Sequence, residues 1–289
     1  MSTQPLNSAA VAQAYRRACM TELQAIKPGN VHVFADGHGM TVYDFIKSAD
    51  ATAAVITQAD LSVGERILLA VQATQSAVAM NTNLGLILLC APLIQAALAS
   101  SLSADLPARL AAVLNTLSIE DGRLAATAIL IAKPAGLGNA PEHDVQAIIE
   151  VSLKHMMAAA AEKDLIAWQY AHDYQGILKF GLPRFVSAKQ AWQAQAKNDS
   201  EAWATTAVYL AYLAHYPDSH IVRKHGLALA KKISLEAQAI EADYAKASNP
   251  KLMQKQLLAW DASLKQRNIN PGTSADLTVA TLLAFYLQQ

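Results

Sequence analysis

The stretch "SAAVAQAYRRACMTELQAI", residues 8 to 26, carries the pattern that decides the fold. Five of its apolar side chains recur every three or four residues, at Ala12, Tyr15, Cys19, Leu23 and Ile26. An α-helix has 3.6 residues per turn, so this spacing places all five on one helical face. The stretch therefore predicts an amphipathic helix that packs against other helices.

The same periodicity continues through the rest of the chain, whereas runs of alternating β-branched residues are scarce. A second helix is predicted from about Thr41, as its N-cap, to Gln58. The remaining predicted helices lie near residues 62–80, 84–100, 104–117, 120–133, 142–161, 163–179, 184–197, 199–215, 219–246, 250–265 and 274–287. No stretch has the composition of a linker. We expect an all-α fold, with residues 1–289 forming a single compact multi-helix domain.

The composition argues against several classes of function. The 289 residues carry a formal net charge of zero, which gives no electrostatic basis for binding nucleic acid or an anionic membrane. Cys19 and Cys90 lie inside apolar helical patterns, which indicates buried thiols rather than a disulfide framework. The apolar run at residues 84–99 is shorter than a bilayer span and is interrupted by Pro92 and Gln95. Since the N-terminus also lacks a signal-peptide pattern, we predict a cytoplasmic protein.

Polar loops interrupt the helical pattern at five places. In an all-helical fold, we expect such loops and the helix starts beside them to form one active-site cleft. The sequence contains no HExxH, P-loop or CxxC pattern, which excludes the commonest metalloprotease, NTPase and zinc-module interpretations. The five loops cover residues 26–49, 80–85, 134–145, 215–226 and 268–280.

The last loop has the clearest physical mechanism. Pro271 and Gly272 predict a turn, and Thr273, Ser274 and Asp276 would open the helix that follows. Free backbone N–H groups and hydroxyl groups at a helix start are typical of an anion site. The same residues also suit an ordinary N-cap followed by an acidic first turn.

The other loops leave similar alternatives open. In the fourth loop, Arg223 and Lys224 suit a phosphate clamp and Asp218 a divalent cation, or else Asp218 is an N-cap beside a solvated face. Asn81, Thr82 and Asn83 suit either caps or contacts to a ribose or phosphate. In the third loop, residues 142–144 suit either metal ligands or an acidic helix start.

Taken in order, these motifs resemble the triphosphoribosyl-dephospho-CoA synthase family. The resemblance extends from about Glu22 to the C-terminus, and its last motif is the most specific. The segment at residues 121–145 looks like a family variant found in archaea and methylotrophic bacteria. The matching motifs are "KPG" at 27–29, "GH" at 37–38, "DFIKSA" at 44–49, "NTNLG" at 81–85, "PDSHIVRKHG" at 217–226 and "NPGTSADLTVATLL" at 270–283.

The resemblance implies an all-helical transferase that uses ATP as a substrate together with Mg²⁺. The family reaction transfers the 5-triphosphoribosyl group of ATP to dephospho-CoA and releases adenine. Its product is a precursor of the prosthetic group of citrate- or malonate-decarboxylating enzymes. Such a displacement needs phosphate binding, stabilisation of positive charge on the sugar and a positioned hydroxyl nucleophile.

The resemblance also implies roles for particular residues. Lys27, Arg223 and the helix start at residues 271–276 would hold phosphate, and Asp218 and Asp276 are the candidate Mg²⁺ ligands. His38 or Asp36 would orient or deprotonate the nucleophile. The remaining candidate substrate-binding residues are Gly29, Asn81, Thr82, Gly85, Gly272, Thr273 and Ser274.

Three positions depart from the family pattern. Leu84 stands where the family has a lysine, His32 where it has an aspartate, and Thr273 where it has a glycine. The missing lysine and the archaeal-type segment motivate a second interpretation, a related transferase of one-carbon cofactor biosynthesis, of methanofuran or methanopterin type. A third interpretation is a non-catalytic helical binding subunit. The apolar surplus and the long helices would also suit a homodimer.

Overall fold

The computed structural model describes residues 6–99, 105–133 and 149–289. Within these ranges the chain is α-helical and has no β-strand, apart from two isolated antiparallel bridges, His32 to Ala35 and Gly37 to Met40. The all-α prediction is confirmed. The helices are α1 (Ser8–Gln24), α2 (Val42–Ile56), α3 (Val63–Val78), α4 (Leu84–Leu98), α5 (Leu106–Asn115), α6 (Ile119–Ala132), α7 (Leu153–Ala160), α8 (Leu165–Ala171), α9 (Leu182–Ala196), α10 (Ser200–His215), α11 (Ser219–His225), α12 (Leu227–Lys246), α13 (Gln254–Gln266) and α14 (Gly272–Tyr286).

The described residues divide into two compact units. Unit 1 comprises residues 6–17, the described part of 44–175, and 283–289, and unit 2 comprises residues 18–43 and 176–282. The expectation of one domain over residues 1–289 stays a prediction. Each unit has its own helix packing.

Unit 1 is built around the very apolar helix α4. Helix α4 packs against α3 and α5, and α3 also packs against α6. Pro92 lies inside α4 and has no N–H, so the carbonyl of Leu88 loses its usual helical donor. The Tyr170 hydroxyl donates to that carbonyl at 2.6 Å and replaces the missing bond. This explains how a proline is accommodated in the buried core helix that the sequence predicts.

Unit 2 is centred on α10, which packs against α9 and α12, while α11 packs against α12. Most residues of α10 are buried, including Tyr209 and Leu213. Both side chains belong to an apolar cluster that also contains Leu264 of α13 and Ile269. Helices α10, α11, α12 and α13 therefore share one core.

Several predicted helices differ from the observed ones. The single helix predicted over 219–246 is interrupted at Gly226, whose φ of 85° ends α11 before α12 begins. The helix predicted over 163–179 ends at Ala171, and a π-helical segment follows at Gly176–Gly181. Of the helix predicted over 142–161, the described part is helical at Leu153–Ala160. The candidate metal ligands at residues 142–144 lie outside the described residues.

The sequence also predicts that both cysteines are buried and that the apolar run at residues 84–99 is a core helix, not a membrane span. Cys19 and Cys90 are buried and do not form a disulfide, as predicted. No helix in the described ranges combines the length and the apolar character needed to cross a bilayer.

Candidate active site

The Lys-Pro-Gly loop, residues 27–40, follows α1 in unit 2, and buried polar bonds hold its first residues. The Lys27 side chain is buried, and its Nζ donates to Glu22 Oε1 and, at 3.1 Å, to Asn30 Oδ1. Asn30 Nδ2 donates to Asn270 Oδ1 at 2.8 Å, which joins the first and last sequence motifs. Burial lowers the pKa of Lys27 and raises the pKa of Glu22, while their mutual attraction opposes both shifts.

Gly29 is the point of closest approach between this loop and the last motif. Its φ is 85°, and a Cβ at this position would lie 2.8 Å from Pro271 Cδ. Only glycine combines this conformation with such a close contact. The Gly29 carbonyl accepts a hydrogen bond from His38 Nε2 at 2.8 Å, and the Gly29 N–H donates to Asp261 Oδ1 at 2.8 Å. Gly29 thus links His38 to α13.

Asp218 joins the start of α11 to the start of α14. Its buried carboxylate caps α11 through Oδ1, which accepts from His220 N at 2.9 Å and Ile221 N at 3.1 Å. Oδ2 accepts from Ser274 N at 2.7 Å and from Ser274 Oγ at 2.8 Å. Burial raises the pKa of Asp218, and the bonds from Ser274 oppose that shift. The predicted anion site at the start of α14 therefore already binds a carboxylate of the protein itself.

Two further contacts strengthen the same junction. Ser219 Oγ lies 2.9 Å from Thr273 Oγ1, and His220 N donates to Thr273 Oγ1 at 3.2 Å. The His220 ring packs against Gly272, where a Cβ would lie 2.9 Å from Nδ1. A side chain at Gly272 would therefore force the His220 imidazole to move, and Thr273, which departs from the family pattern, bonds to the start of α11.

The junction of α11 and α14 lies near the positive charges of Arg223 and Lys224. Burial lowers the pKa of His220 most, and together with the charges of its neighbours, Arg223 and Lys224 first among them, it brings that pKa to about 4. His220 is therefore a neutral imidazole at neutral pH, and its buried Nε2 has no hydrogen-bond partner among the described residues. An unpaired buried polar atom is costly to the folded state. This atom and the surrounding positive charge together suit an anionic ligand.

The two other acidic residues predicted for the site, Asp276 and Asp36, differ in their surroundings. Asp276, in the second turn of α14, lies near enough to Lys27 for its charge to raise the Lys27 pKa. Asp36 is exposed, and its Oδ1 accepts from Val42 N, the first residue of α2, at 2.8 Å. The role predicted for Asp36 in orienting the nucleophile stays a prediction.

Asn81, Thr82 and Gly85 lie in unit 1, where Asn81 makes a local bond and Thr82 a contact with α2. Asn81 Oδ1 accepts from Leu84 N at 3.1 Å, and Thr82 Oγ1 lies 2.6 Å from Ser48 Oγ. Gly85 is in the first turn of α4. The cap interpretation therefore describes Asn81, and substrate binding by these three residues stays a prediction.

Sequence reasoning missed Asp261 and Lys265, which contact the Lys-Pro-Gly loop from α13. The available signal was an i,i+4 acid–base pair on a predicted helix. Such a pair usually indicates a solvated helix face, so the spacing alone could not identify these residues as part of the site. Their partners lie more than 200 positions away in the chain.

The geometry defines an all-helical protein with a cationic, partly buried polar site. Residues 8–289 match the family model CitG, ATP:dephospho-CoA triphosphoribosyl transferase. A solved structure from Archaeoglobus fulgidus, described provisionally as a triphosphoribosyl-dephospho-CoA synthase, matches with a TM-score of 0.62. The two chains are 22% identical, and the match covers 84% of this chain and 97% of that one. None of the curated proteins compared matches significantly.

The chain therefore belongs to the CitG family of ATP:dephospho-CoA triphosphoribosyl transferases. It is a transferase of prosthetic-group biosynthesis, as the sequence motifs predict. The family match favours this interpretation over the one-carbon transferase and over the non-catalytic binding subunit.

Proposed function

We propose that unit 2 binds the triphosphate of ATP and positions it for transfer of the triphosphoribosyl group to dephospho-CoA. The observation that supports this proposal is the junction of α11 and α14. There, the Asp218–Ser274 bonds hold two helix starts together beside a group of cationic side chains. A triphosphate concentrates negative charge, and charge-assisted hydrogen bonds are the strong contacts available to it.

Arg223 and His220 are the proposed triphosphate contacts. Arg223 presents a planar set of N–H donors that suits phosphate oxygens. His220 contributes Nε2, a buried ring nitrogen that has no hydrogen-bond partner among the described residues. Because Asp218 occupies the Ser274 N–H, the triphosphate binds at the cationic side chains rather than at that backbone group.

His38 is the proposed acceptor of the nucleophile's proton. Its Nε2 donates to the Gly29 carbonyl, so the neutral ring has its unprotonated nitrogen at Nδ1. In the proposed step, the dephospho-CoA hydroxyl gives its proton to Nδ1 while its oxygen forms the bond to the ribose carbon. The bond from that carbon to adenine breaks, the departing adenine takes up a proton from solvent, and His38 then returns its extra proton to solvent.

The Mg²⁺ that the family resemblance implies would need oxygen ligands. In the described ranges, no three His, Cys, Asp or Glu side chains are grouped closely enough to hold a metal ion. Mg²⁺ is usually held by one or two carboxylates together with substrate phosphates, and Asp276 near Lys27 fits that arrangement. Both oxygens of Asp218 already accept two bonds each, so Asp218 suits a structural role better. When bound, the metal would neutralise phosphate charge.

The test compares Arg223→Ala with Lys231→Ala, an exposed lysine of α12 whose replacement removes the same charge. We expect Arg223→Ala to raise the Kd for ATP with Mg²⁺ about tenfold or more, since a hydrogen bond to a charged group contributes roughly 1.5–3 kcal/mol. Lys231→Ala should leave the Kd within about twofold. Isothermal titration measures binding, and adenine release with dephospho-CoA measures transfer. Equal Kd values for Arg223→Ala and the wild type would contradict the proposal.

A further inference from the structure

Helix α13 holds the Lys-Pro-Gly loop through two side chains one helical turn apart. Asp261 Oδ1 accepts from the Gly29 N–H at 2.8 Å, and Lys265 Nζ donates to the Ala35 carbonyl at 3.0 Å. The two side chains also pair with each other, since Lys265 Nζ donates to Asp261 Oδ2 at 2.9 Å. The loop is therefore attached to α13 near both Gly29 and Ala35.

His32 lies beside Asp261, and with Lys265 the two form one group of titratable side chains. His32 is buried, and its Nδ1 accepts from Phe34 N at 3.3 Å, which leaves the ring proton on Nε2. Nε2 lies 3.5 Å from Asp261 Oδ1. Burial lowers the pKa of His32, and although burial opposes ionisation of Asp261, its partners His32, Lys265 and Gly29 lower its pKa. Asp261 is therefore an ionised carboxylate and His32 a neutral imidazole at neutral pH.

The packing of Lys265 adds a steric constraint. A Cβ on Gly37 would lie 2.9 Å from Lys265 Cε, so the lysine stem packs directly against the loop just before His38. His38 itself has a φ of 57°, an uncommon value for a residue with a side chain. The surroundings hold His38 in this backbone conformation, and Lys265 contacts the residue immediately before it.

We propose that Asp261 and Lys265 are positioning residues for His38, which act through Gly29 and the loop backbone. Asp261 fixes the Gly29 N–H, and the carbonyl of the same residue receives the His38 Nε2–H. Lys265 fixes the far side of the loop at Ala35 and Gly37. The consequence for the reaction rests on the proposed function, because it requires His38 to take part in transfer.

The experiment uses Asp261→Ala and Lys265→Met in the full chain. The matched controls are Asp243→Ala and Lys255→Met, both at exposed helical positions. Long-range ¹H–¹⁵N NMR of the imidazoles, with His38 assigned through His38→Gln, reports the His38 tautomer. We expect the wild type and both controls to show His38 with its proton on Nε2, and both test variants to show a mixture of tautomers.

Steady-state kinetics separates positioning from general stability. In the test variants we expect kcat to fall about tenfold or more, with the KM for ATP within about twofold of the wild type, because Arg223 and His220 are not attached to α13 by these bonds. An unchanged tautomer and an unchanged kcat in folded Lys265→Met would overturn the proposal, even if Asp261→Ala does not fold. The NMR measurement of the His38 tautomer does not depend on catalytic activity. A tautomer change upholds the positioning role, and full activity of His38→Gln would then count against the proposed function alone.

Discussion

Asp218 and Ser274 are joined by two hydrogen bonds across 56 positions of the unit 2 sequence. Asp218 Oδ2 accepts from both the backbone N and the Oγ of Ser274, while Oδ1 caps α11. One carboxylate thus satisfies donors at two helix starts, where backbone N–H groups have no acceptor within their own helix. This relationship makes Asp218 the anion bound at the start of α14.

Replacement of Asp218 by Asn should destabilise the protein more than replacement of Ser274 by Ala. The amide introduced by D218N would place a donor group or a weaker acceptor opposite donors, whereas S274A removes a single hydroxyl bond. We expect losses of about 2–4 kcal/mol for D218N and about 1 kcal/mol for S274A in the free energy of unfolding. Urea denaturation measures both. Equal losses would show that the shared carboxylate is not the main stabilising element.

Lys27 and Glu22 should behave as a coupled buried pair. Either K27M or E22Q alone leaves one buried group without its partner, which typically costs about 3–5 kcal/mol. The double variant removes both charges and should recover much of that loss. A double-mutant cycle of unfolding free energies measures the coupling. Additive losses would contradict a buried pair.

The buried pair of Lys27 and Glu22 complicates any test of Lys27 as a phosphate-binding residue. A single alanine substitution at Lys27 combines loss of binding with loss of stability, because the side chain is fully buried. The double variant E22Q/K27M is the cleaner probe. If it is as stable as the wild type and binds ATP equally well, Lys27 has no direct role in holding phosphate.

His220 should make the folded protein sensitive to mild acid. Its pKa is lowered to about 4, whereas an unfolded histidine has a pKa of about 6.5. Between these values the unfolded chain binds a proton at this residue that the folded chain does not. Stability from this group is therefore present above about pH 6.5 and is lost as the pH falls through that window.

Protonation of His220 in the unfolded chain should lower the free energy of unfolding by roughly 2 kcal/mol between pH 7 and pH 5, at about 1.4 kcal/mol per pKa unit. His220→Gln should lose this part of the pH dependence, so the comparison removes the effect of all other titrating groups. Urea denaturation at both pH values provides the measurement. An identical pH dependence in the variant would show that His220 is not held neutral by its surroundings.

Two glycines with the same φ should respond differently to alanine. Gly29 and Gly226 both have a φ of 85°, but a Cβ on Gly29 would lie 2.8 Å from Pro271 Cδ, whereas a Cβ on Gly226 would meet nothing within 4 Å. We expect G226A to cost about 1–3 kcal/mol from backbone strain alone, and G29A to cost more because steric overlap is added. Thermal unfolding of the two variants checks the order. A smaller loss for G29A would contradict the close contact with Pro271.

The helical fold was largely predictable because its signal is local. The apolar repeat in residues 8–26 and the apolar run of α4 depend on 3.6-residue periodicity and on burial, which neighbours in sequence already express. The prediction failed at 219–246, because one glycine with positive φ interrupts a pattern that otherwise continues through it. Periodicity cannot show which dihedral angles a single glycine adopts.

The candidate site was predictable only in part. The loop motifs identified Lys27, His38, Asp218 and the 271–276 turn, since glycine, proline and polar residues interrupt a helical pattern visibly. The sequence left open whether Asp218 is a metal ligand or a cap, and the bonds to Ser274 now favour the cap. Asp261 and Lys265 gave no distinguishing signal.

The sequence by itself determined the helical class, the loops that carry polar chemistry and the family, because these depend on residue type and order along the chain. Only the tertiary structure decided which partners those residues have. Lys27 is buried against Glu22, Asp218 is shared between α11 and α14, and Asp261 contacts Gly29 across 232 positions. Such contacts depend on how helices pack, and packing brings together residues whose separation in sequence carries no information about their distance in space.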